Sequence, residues 1–201
     1  NESPSTVSIS ASEFNENIAG GVAVASLGSV DVDAGDTHTY ALVSGDGDSD
    51  NSSFTIDGDQ LKIIGSPDFE TNSSYSIRLQ TKDSGELTFE KAFTLRVNDV
   101  NEAPSALTVS ASEFDENIAG GSAVASLSTE DVDAGDTFTY ALVAGDGDAD
   151  NSAFAIDGNQ LKIVNSPDFE TKSSYSIRLQ TTDSGGMTFQ KAFTLSVNDL
   201  E

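Results

Sequence analysis

The sequence predicts an all-β protein: two tandem seven-stranded β-sandwiches, residues 1–100 and 101–201, joined by a short linker. Three observations predict it. Glu16 recurs as Glu116, Asp68 as Asp168 and Asp99 as Asp199, an offset of 116 − 16 = 100 residues with no insertion. A repeat of that length is too long for a solenoid unit and suits one independent sandwich domain of ~100 residues. Each copy also reads as short alternating apolar runs between Gly, Asp and Pro turns, with no segment of helical period. Finally, the string Asn98-Asp99-Val100-Asn101-Glu102-Ala103-Pro104 returns in part at both ends, as Asn1-Glu2-Ser3-Pro4 and Asn198-Asp199-Leu200-Glu201. Proline has no amide for a sheet ladder, so this string is extended chain outside a strand centre, a joint between units.

The first copy justifies its strands in order. Residues 6–10 form the first, and Glu16-Asn17 with Gly20-Gly21 make a turn before the second, 22–27. The turn Asp31-Val32-Asp33-Ala34-Gly35-Asp36 leads into 37–43, where the single histidine, His38, reads as a residue of a half-buried strand. A Gly/Asp loop over 45–52 separates this from 53–57, and Gly58-Asp59 leads into 60–64. Pro67-Asp68-Phe69-Glu70 breaks that strand; 74–81 follows, with Tyr75, Ile77 and Leu79 alternating against Ser76, Arg78 and Gln80. In the last strand, 87–98, Phe89, Phe93, Leu95 and Val97 share a face. Seven strands is the count of an immunoglobulin-like sandwich.

Composition narrows the function. With 34 acidic against 9 basic residues the net charge is −25, a field that repels nucleic acid and anionic membrane surfaces. A solvated tail, a halophilic surface and cation binding remain, and position must choose between them. There is no cysteine and only one histidine, so disulfides, thiolate metal sites and any site needing two imidazoles are excluded. No signal peptide is present and no apolar run approaches the ~20 residues that span a bilayer. Because it opens on a joint string, the chain is expected to be a piece of something longer, with Leu200-Glu201 a candidate cloning remnant.

Strand parity says where the acids fall. If the strands run alternately down and up the sandwich, Glu16, Asp68, Glu70, Asn101 and Glu102 belong to one pole, and Asp31, Asp33 and Asp83 to the other. Stacking the second copy on the joint adds Asp131, Asp133 and Asp183. Glu16, Asp68, Glu70, Glu102, Asp131, Asp133 and Asp183 then total seven carboxylates, which three divalent ions (+6 against −7) nearly neutralise. Two like charges ~4 Å apart repel by about 4 kcal/mol at an effective dielectric of ~20. Calcium suits the set: it takes 6–8 oxygen ligands in irregular geometry, whereas magnesium demands an octahedron and zinc and copper prefer nitrogen or sulfur. The competing reading is that acidic turns are merely soluble turns. The joint is therefore expected to become stiff only when calcium fills it.

These motifs resemble the cadherin repeat, twice over nearly the whole chain. Glu16-Asn17, Asp31-Val32-Asp33 with Gly35 and Tyr40, Pro67-Asp68-Phe69-Glu70, Thr81-Lys82-Asp83-Ser84-Gly85 and Asp99-Val100-Asn101-Glu102-Ala103-Pro104 are similar, in order and spacing, to that family's five signatures. The resemblance implies a Greek-key sandwich with three calcium ions between successive repeats. It places Glu16, Asp68, Glu70 and Glu102 on two ions with Asp133 shared. Asn101, Asp131, Asp133 and Asp183 go on the third, and the carbonyls of Val100 and Ala103 complete the shells. At the outer ends it leaves partial sites, Asn1 with Asp31, Asp33 and Asp83, and Glu116 with Asp168 and Glu170. Glu102 and Ala103 depart from the family's linker, and Asp136 stands near where the family uses a backbone oxygen, its carboxylate either an extra ligand or idle. Adhesion by an inserted tryptophan is absent, since the chain has no Trp. The wording of the 45–52 loop is similar to cadherin-like repeats of large bacterial surface and secreted proteins.

That loop carries Asp46, Asp48, Asp50 and Asn51, recurring as Asp146, Asp148, Asp150 and Asn151, the opening of an EF-hand spacing. Asn51 and Asp57 occupy the places that need Gly and Glu, so a full EF-hand fails, leaving a weak calcium site, an interaction tip or a solvated loop between sheets. The expected function is a calcium-rigidified extracellular repeat of an adhesin or surface protein, partnered by neighbouring repeats and by homophilic or polysaccharide contacts. The alternative is a calcium-dependent carbohydrate-binding module of a secreted polysaccharide-degrading protein, for which Phe14 and Phe114, placed in a turn region, are the aromatics least certain to be core. Catalysis by paired carboxylates such as Asp68 and Glu70 is not expected, because metal ligation would use them.

Overall fold

The computed structural model describes residues 1–200; Glu201, the last residue of the terminal joint string, lies outside them. The chain divides into two compact units, Asn1–Val100 and Asn101–Glu201. Unit 1 contains β1 (Thr6–Ile9), β2 (Glu13–Asn15), β3 (Ala23–Val30), β4 (Thr39–Leu42), β5 (Phe54–Asp57), β6 (Gln60–Ile63), β7 (Ser74–Lys82) and β8 (Thr88–Asn98). Unit 2 repeats them as β9 (Ala106–Val109), β10 (Glu113–Asp115), β11 (Ala123–Glu130), β12 (Thr139–Leu142), β13 (Phe154–Asp157), β14 (Gln160–Ile163), β15 (Ser174–Thr182) and β16 (Thr188–Asn198). In unit 1 the sheets run β1-β3-β6-β5 and β2-β8-β7-β4, and unit 2 has the same order.

The all-β sandwich is as expected, with eight strands per unit where seven were expected. The additional one, Glu13–Asn15, falls where the sequence predicts a turn region. Ser10 finishes the first sheet's ladder, donating its amide to the Ser26 carbonyl and taking the Ser26 amide on its hydroxyl. Two residues later Ser12 accepts the Arg96 amide, and β2 pairs parallel to β8, Phe14 opposite Val97. The chain thus changes sheets without reversing, which preserves the strand parity that sends acidic turns to opposite poles. Phe14 is consequently core: it is 8% exposed, stacks on Tyr75 and meets Phe54 edge-on. Phe114 does the same with Tyr175 and Phe154. Neither is a sugar platform.

Between the sheets of unit 1 lie Val7, Leu27, Leu61, Ile63, Ile77, Leu79, Leu95 and Val97, all nearly inaccessible. Each such side chain stabilises by about 1.5–3 kcal/mol relative to exposure. The alternation in β7 (Ile77, Leu79 and Thr81 buried; Arg78, Gln80 and Lys82 less so) holds the strand in register. Thr81 is buried without cost to its hydroxyl, which pairs with Ser29 Oγ at 2.6 Å; Thr181 and Thr129 do the same at 2.7 Å. This fixes the end of β7 two residues before Asp83.

The 45–52 loop proves to be scaffolding. Asp48 accepts the Gly45 amide, Asp50 the Ser76 amide and Asn51 the Arg78 amide, while Arg78 reaches the Asp46 carbonyl. The loop thereby covers the part of β7 that β4 leaves unpaired, where a bare edge would invite strand addition. His38 lies just ahead of β4 rather than in a strand, with Nε2 3.4 Å from Asp31 Oδ2.

Candidate metal centre at the two poles of each unit

The chain enters each unit at one pole and leaves at the other, and both poles are acidic. At the entrance of unit 1, Asp31 accepts the Asp33 amide in an Asx turn, and Asp36 donates its amide to the Asp33 carbonyl. This winds three carboxylates into six residues. Asp83 faces them from the β7–β8 hairpin, where its Oδ1 accepts the Leu87 amide at 2.8 Å. The joint string completes the pole: Asn1 Nδ2 donates to Asp83 Oδ2 at 3.1 Å, and the Glu2 amide to Asp33 Oδ2 at 2.7 Å. Unit 2 reproduces it, with Asn101 Nδ2 on Asp183 Oδ2 at 3.1 Å and the Glu102 amide on Asp133 Oδ2 at 2.8 Å. Glycine at 85 and 185 permits this seating, because a Cβ at either place would collide with the asparagine side chain.

Carboxylate oxygens of Asp31, Asp36 and Asp83 lie within 4.8 Å of one another, and so do those of Asp131, Asp133 and Asp136. Several are sealed from solvent with no hydrogen-bond donor: Oδ2 of Asp36, Oδ2 of Asp131, Oδ1 of Asp133 and Oδ2 of Asp136. Burial would raise the Asp183 carboxyl, but the Asn101 amide and the amides of Met187, Gly186 and Gly185 outweigh it and leave it lowered. Asp31 is lowered chiefly by the Asp33 amide, against desolvation, with His38 adding to the effect.

At the exit pole a buried glutamate organises three segments. Glu16 is 3% exposed; its Oε2 accepts the Phe69 amide and its Oε1 the Val100 amide, both at 2.8 Å. Glu116 does the same for Phe169 and Leu200. The following Asn17 and Asn117 adopt left-handed φ of 58° and 61°, which Asn tolerates well, and so turn the chain immediately after the glutamate. Ligand oxygens of Glu16, Glu70 and Asp99 group together in unit 1, and those of Glu116, Asp168 and Glu170 in unit 2. Asp68 stands apart from its group: its oxygens take the amide and hydroxyl of Thr71. Asp168 binds Thr171 in the same way, which lowers its carboxyl, yet it remains within its group. Glu170 is raised. Its own amide is the largest influence and pulls it down, but desolvation and the charges of Glu116 and Asp199, with Asp168, prevail.

Within unit 1, then, Glu16 and Glu70 come together with Asp99, and Asp31 and Asp83 with Asp36; within unit 2, Glu116, Asp168 and Glu170 group, as do Asp131 and Asp133 with Asp136. The joint residues divide by unit: the Val100 amide is held in unit 1 by Glu16, Asn101 and Glu102 bind in unit 2, and Ala103 is exposed. One ligand-bearing position lies outside the sequence expectations: Asp99 is expected only as part of the joint, although it directly precedes Val100. The carboxylate at 136, expected as either an extra ligand or idle, groups with Asp131 and Asp133, and its counterpart Asp36 groups with Asp31 and Asp83. An all-oxygen donor set with sealed, donor-less carboxylates has the chemistry of a hard divalent-cation site, and calcium fits it better than a metal that prefers nitrogen or sulfur.

No family model matches the sequence. Human protocadherin Fat 4 is 28% identical over 184 residues, 86% of this chain, and mouse protocadherin Fat 2 is 32% identical over 149 residues, 69% of it. The chain spans only 4% and 3% of the length of these relatives. Among solved structures, human protocadherin-24 EC1-2 (form II) matches with a TM-score of 0.78 at 19% identity, covering 100% of both chains. Protocadherin gamma B2 extracellular cadherin domains 3–6 match with a TM-score of 0.67 at 20% identity, covering 97% of this chain and 48% of that one. The fold of each unit is that of a cadherin extracellular domain, and the cadherin resemblance is supported by both comparisons. Among the described residues no helix is long and apolar enough to cross a membrane.

Proposed function

We propose, with two tandem cadherin-type repeats as the premise, that the chain is a calcium-rigidified extracellular module. It serves as spacer and adhesion unit in a large surface protein, bacterial by the wording of its 45–52 loop. Repeat 1 is residues 1–100 and repeat 2 residues 101–201. Its natural partners are neighbouring repeats of the same protein and a second copy of the module.

The observation that carries this reading is the set of sealed carboxylate oxygens on Asp131, Asp133 and Asp136, none with a donor, at the pole where Asn101 and Glu102 dock. Asp131, Asp133 and Asp183 with Asn101 would hold one ion. Glu16, Glu70 and Asp99 would hold cation at the exit of repeat 1, with Asp68 and Glu102 the further ligands expected and about three ions at the junction. Consecutive residues, Val100 and Asn101, are committed to opposite repeats, so cation bound on both sides removes freedom from a joint with no slack. The bound ion supplies positive charge and coordination; the chain supplies the pre-folded turns and the seated asparagine.

The test is thermal unfolding and small-angle scattering of the whole chain in calcium, magnesium and chelator. Calcium should raise the melting temperature and fix the maximum dimension, and magnesium should do so far less. A chelator that changes neither quantity refutes the proposal. The carbohydrate alternative loses its structural support, since Phe14 and Phe114 are core.

A further inference from the structure

We propose that the carboxylates of Asp36 and Asp136 are direct cation ligands, so that each repeat carries a cation site at its entrance built from its own residues. This rests on the calcium reading above and extends it. The cadherin resemblance calls for a backbone oxygen near this position, where this chain carries an acidic side chain in both repeats.

Both copies show the same arrangement. Ser84 Oγ donates to Asp36 Oδ1 at 2.6 Å, and Ser184 Oγ to Asp136 Oδ1. A serine hydroxyl has one proton, so it aims the carboxylate without serving the second oxygen. That second oxygen, Oδ2 in both residues, is shut off from solvent and has no hydrogen-bond partner. An oxygen of Asp36 stands within 4.8 Å of oxygens of Asp31 and Asp83, and one of Asp136 within 4.8 Å of those of Asp131 and Asp133. A buried carboxylate oxygen without a donor, beside two further carboxylates, is strongly disfavoured unless positive charge lies between them.

The protein does not provide that charge. Among the described residues no lysine or arginine pairs with Asp36 or Asp136. His38 touches Asp31 in repeat 1, but repeat 2 has Phe138 there and keeps the same unserved oxygen. The feature therefore recurs without the histidine. It also recurs in repeat 1, where Asn1 seats on Asp83 as Asn101 does on Asp183. An entrance pole with Asp31, Asp36 and Asp83 offers three carboxylates before any neighbouring repeat contributes, so the outer entrance should fill rather than bind incompletely.

Calcium titration calorimetry on the whole chain tests this, with Asp36→Asn, Asp136→Asn and the double variant beside the wild type. Asparagine keeps an acceptor for the serine and removes the charge. Each single variant should lose about one bound ion, or weaken one class of sites at least tenfold, and the double variant should lose two. In chelator the variants should melt no lower than wild type, because a repulsive charge has gone while the acceptor for the serine remains. If the wild type binds calcium and the variants match its isotherm, this inference falls and the calcium reading stands. If the wild type binds none, both fall.

Discussion

The two repeats differ in what they vary and in what they keep. On strand surfaces they vary freely. Arg78 pairs with Glu90 in repeat 1, whereas Arg178 meets the neutral Gln190. Lys82 pairs with Glu86, but Thr182 and Gly186 stand at those places in repeat 2. Asp150 pairs with Lys172, where repeat 1 has Asp50 and Asn72. At the poles His38 gives way to Phe138, but the same comparison finds no exchange among the carboxylates: Glu16, Asp31, Asp33, Asp36, Asp68, Glu70, Asp83 and Asp99 all recur unchanged at +100. Exposed ion pairs contribute about 0–1 kcal/mol each, so they can come and go. A buried carboxylate that accepts backbone amides from separate segments cannot be traded so easily.

The largest expected break in the symmetry follows from that. Glu16→Ala frees the amides of Phe69 and Val100, and Glu116→Ala those of Phe169 and Leu200. Charge-assisted hydrogen bonds of this kind are worth roughly 1.5–3 kcal/mol each, so a loss on the order of 3 kcal/mol is expected even in chelator. Urea unfolding should then separate into two transitions, the altered repeat melting first. A single unshifted transition for Glu16→Ala would mean that this glutamate serves metal alone and does not organise the pole.

How much of this was legible in the sequence depends on the kind of signal. The repeat offset and the alternation in 74–81 and 87–98 announced the two sandwiches, because a period of two is imposed by the pleat itself. Strand parity brought Asp31 and Asp83 to one pole and Glu16 and Glu70 to the other. The strand Glu13–Asn15 was missed because three residues carry too little alternation to outweigh the serines before it, although Phe14 between two polar residues was the trace. The carboxylate at 136 stays open in the sequence, either ligand or idle, and Asp36 with it, because the role depends on a serine 48 residues away (Ser84 for Asp36) and on the burial of one oxygen. For the loop acids Asp48 and Asp50 the spacing says only that a full EF-hand fails; their bonds to the Gly45 and Ser76 amides depend on the folded loop and on β7, which spacing does not show.

A smaller break concerns the β7–β8 hairpin. Glu86 holds φ at 72°, where repeat 2 has Gly186 at 92°. A side chain in this region costs about 1–2 kcal/mol. Glu86→Gly relieves it but adds unfolded-state entropy and loses the exposed pair with Lys82. A net gain below ~1 kcal/mol in repeat 1 is expected, read from the urea midpoint. A loss would show that the ion pair outweighs the strain.

The smallest effect tests the surface exchange directly. Lys172→Asn gives repeat 2 the residue of repeat 1 and removes Lys172 from Asp150 Oδ1 and from the face of Tyr175. Burial is the largest influence on the Asp150 carboxyl and would raise it. Lys172 and the Ser176 amide together reverse that, leaving it below the ordinary 3.8. A lowered carboxyl contributes stability that is present above 3.8 and lost as pH falls through the folded value. The wild type should therefore exceed Lys172→Asn by a few tenths of a kcal/mol at pH 6, and the part of that margin due to the ion pair should shrink as pH falls below 3.8 and disappear once the folded carboxyl is protonated. Lysine is half-exposed and screened, so 0.5 M salt should shrink the same part at pH 6. A margin independent of both pH and salt would assign it to packing of the lysine stem on Tyr175 instead.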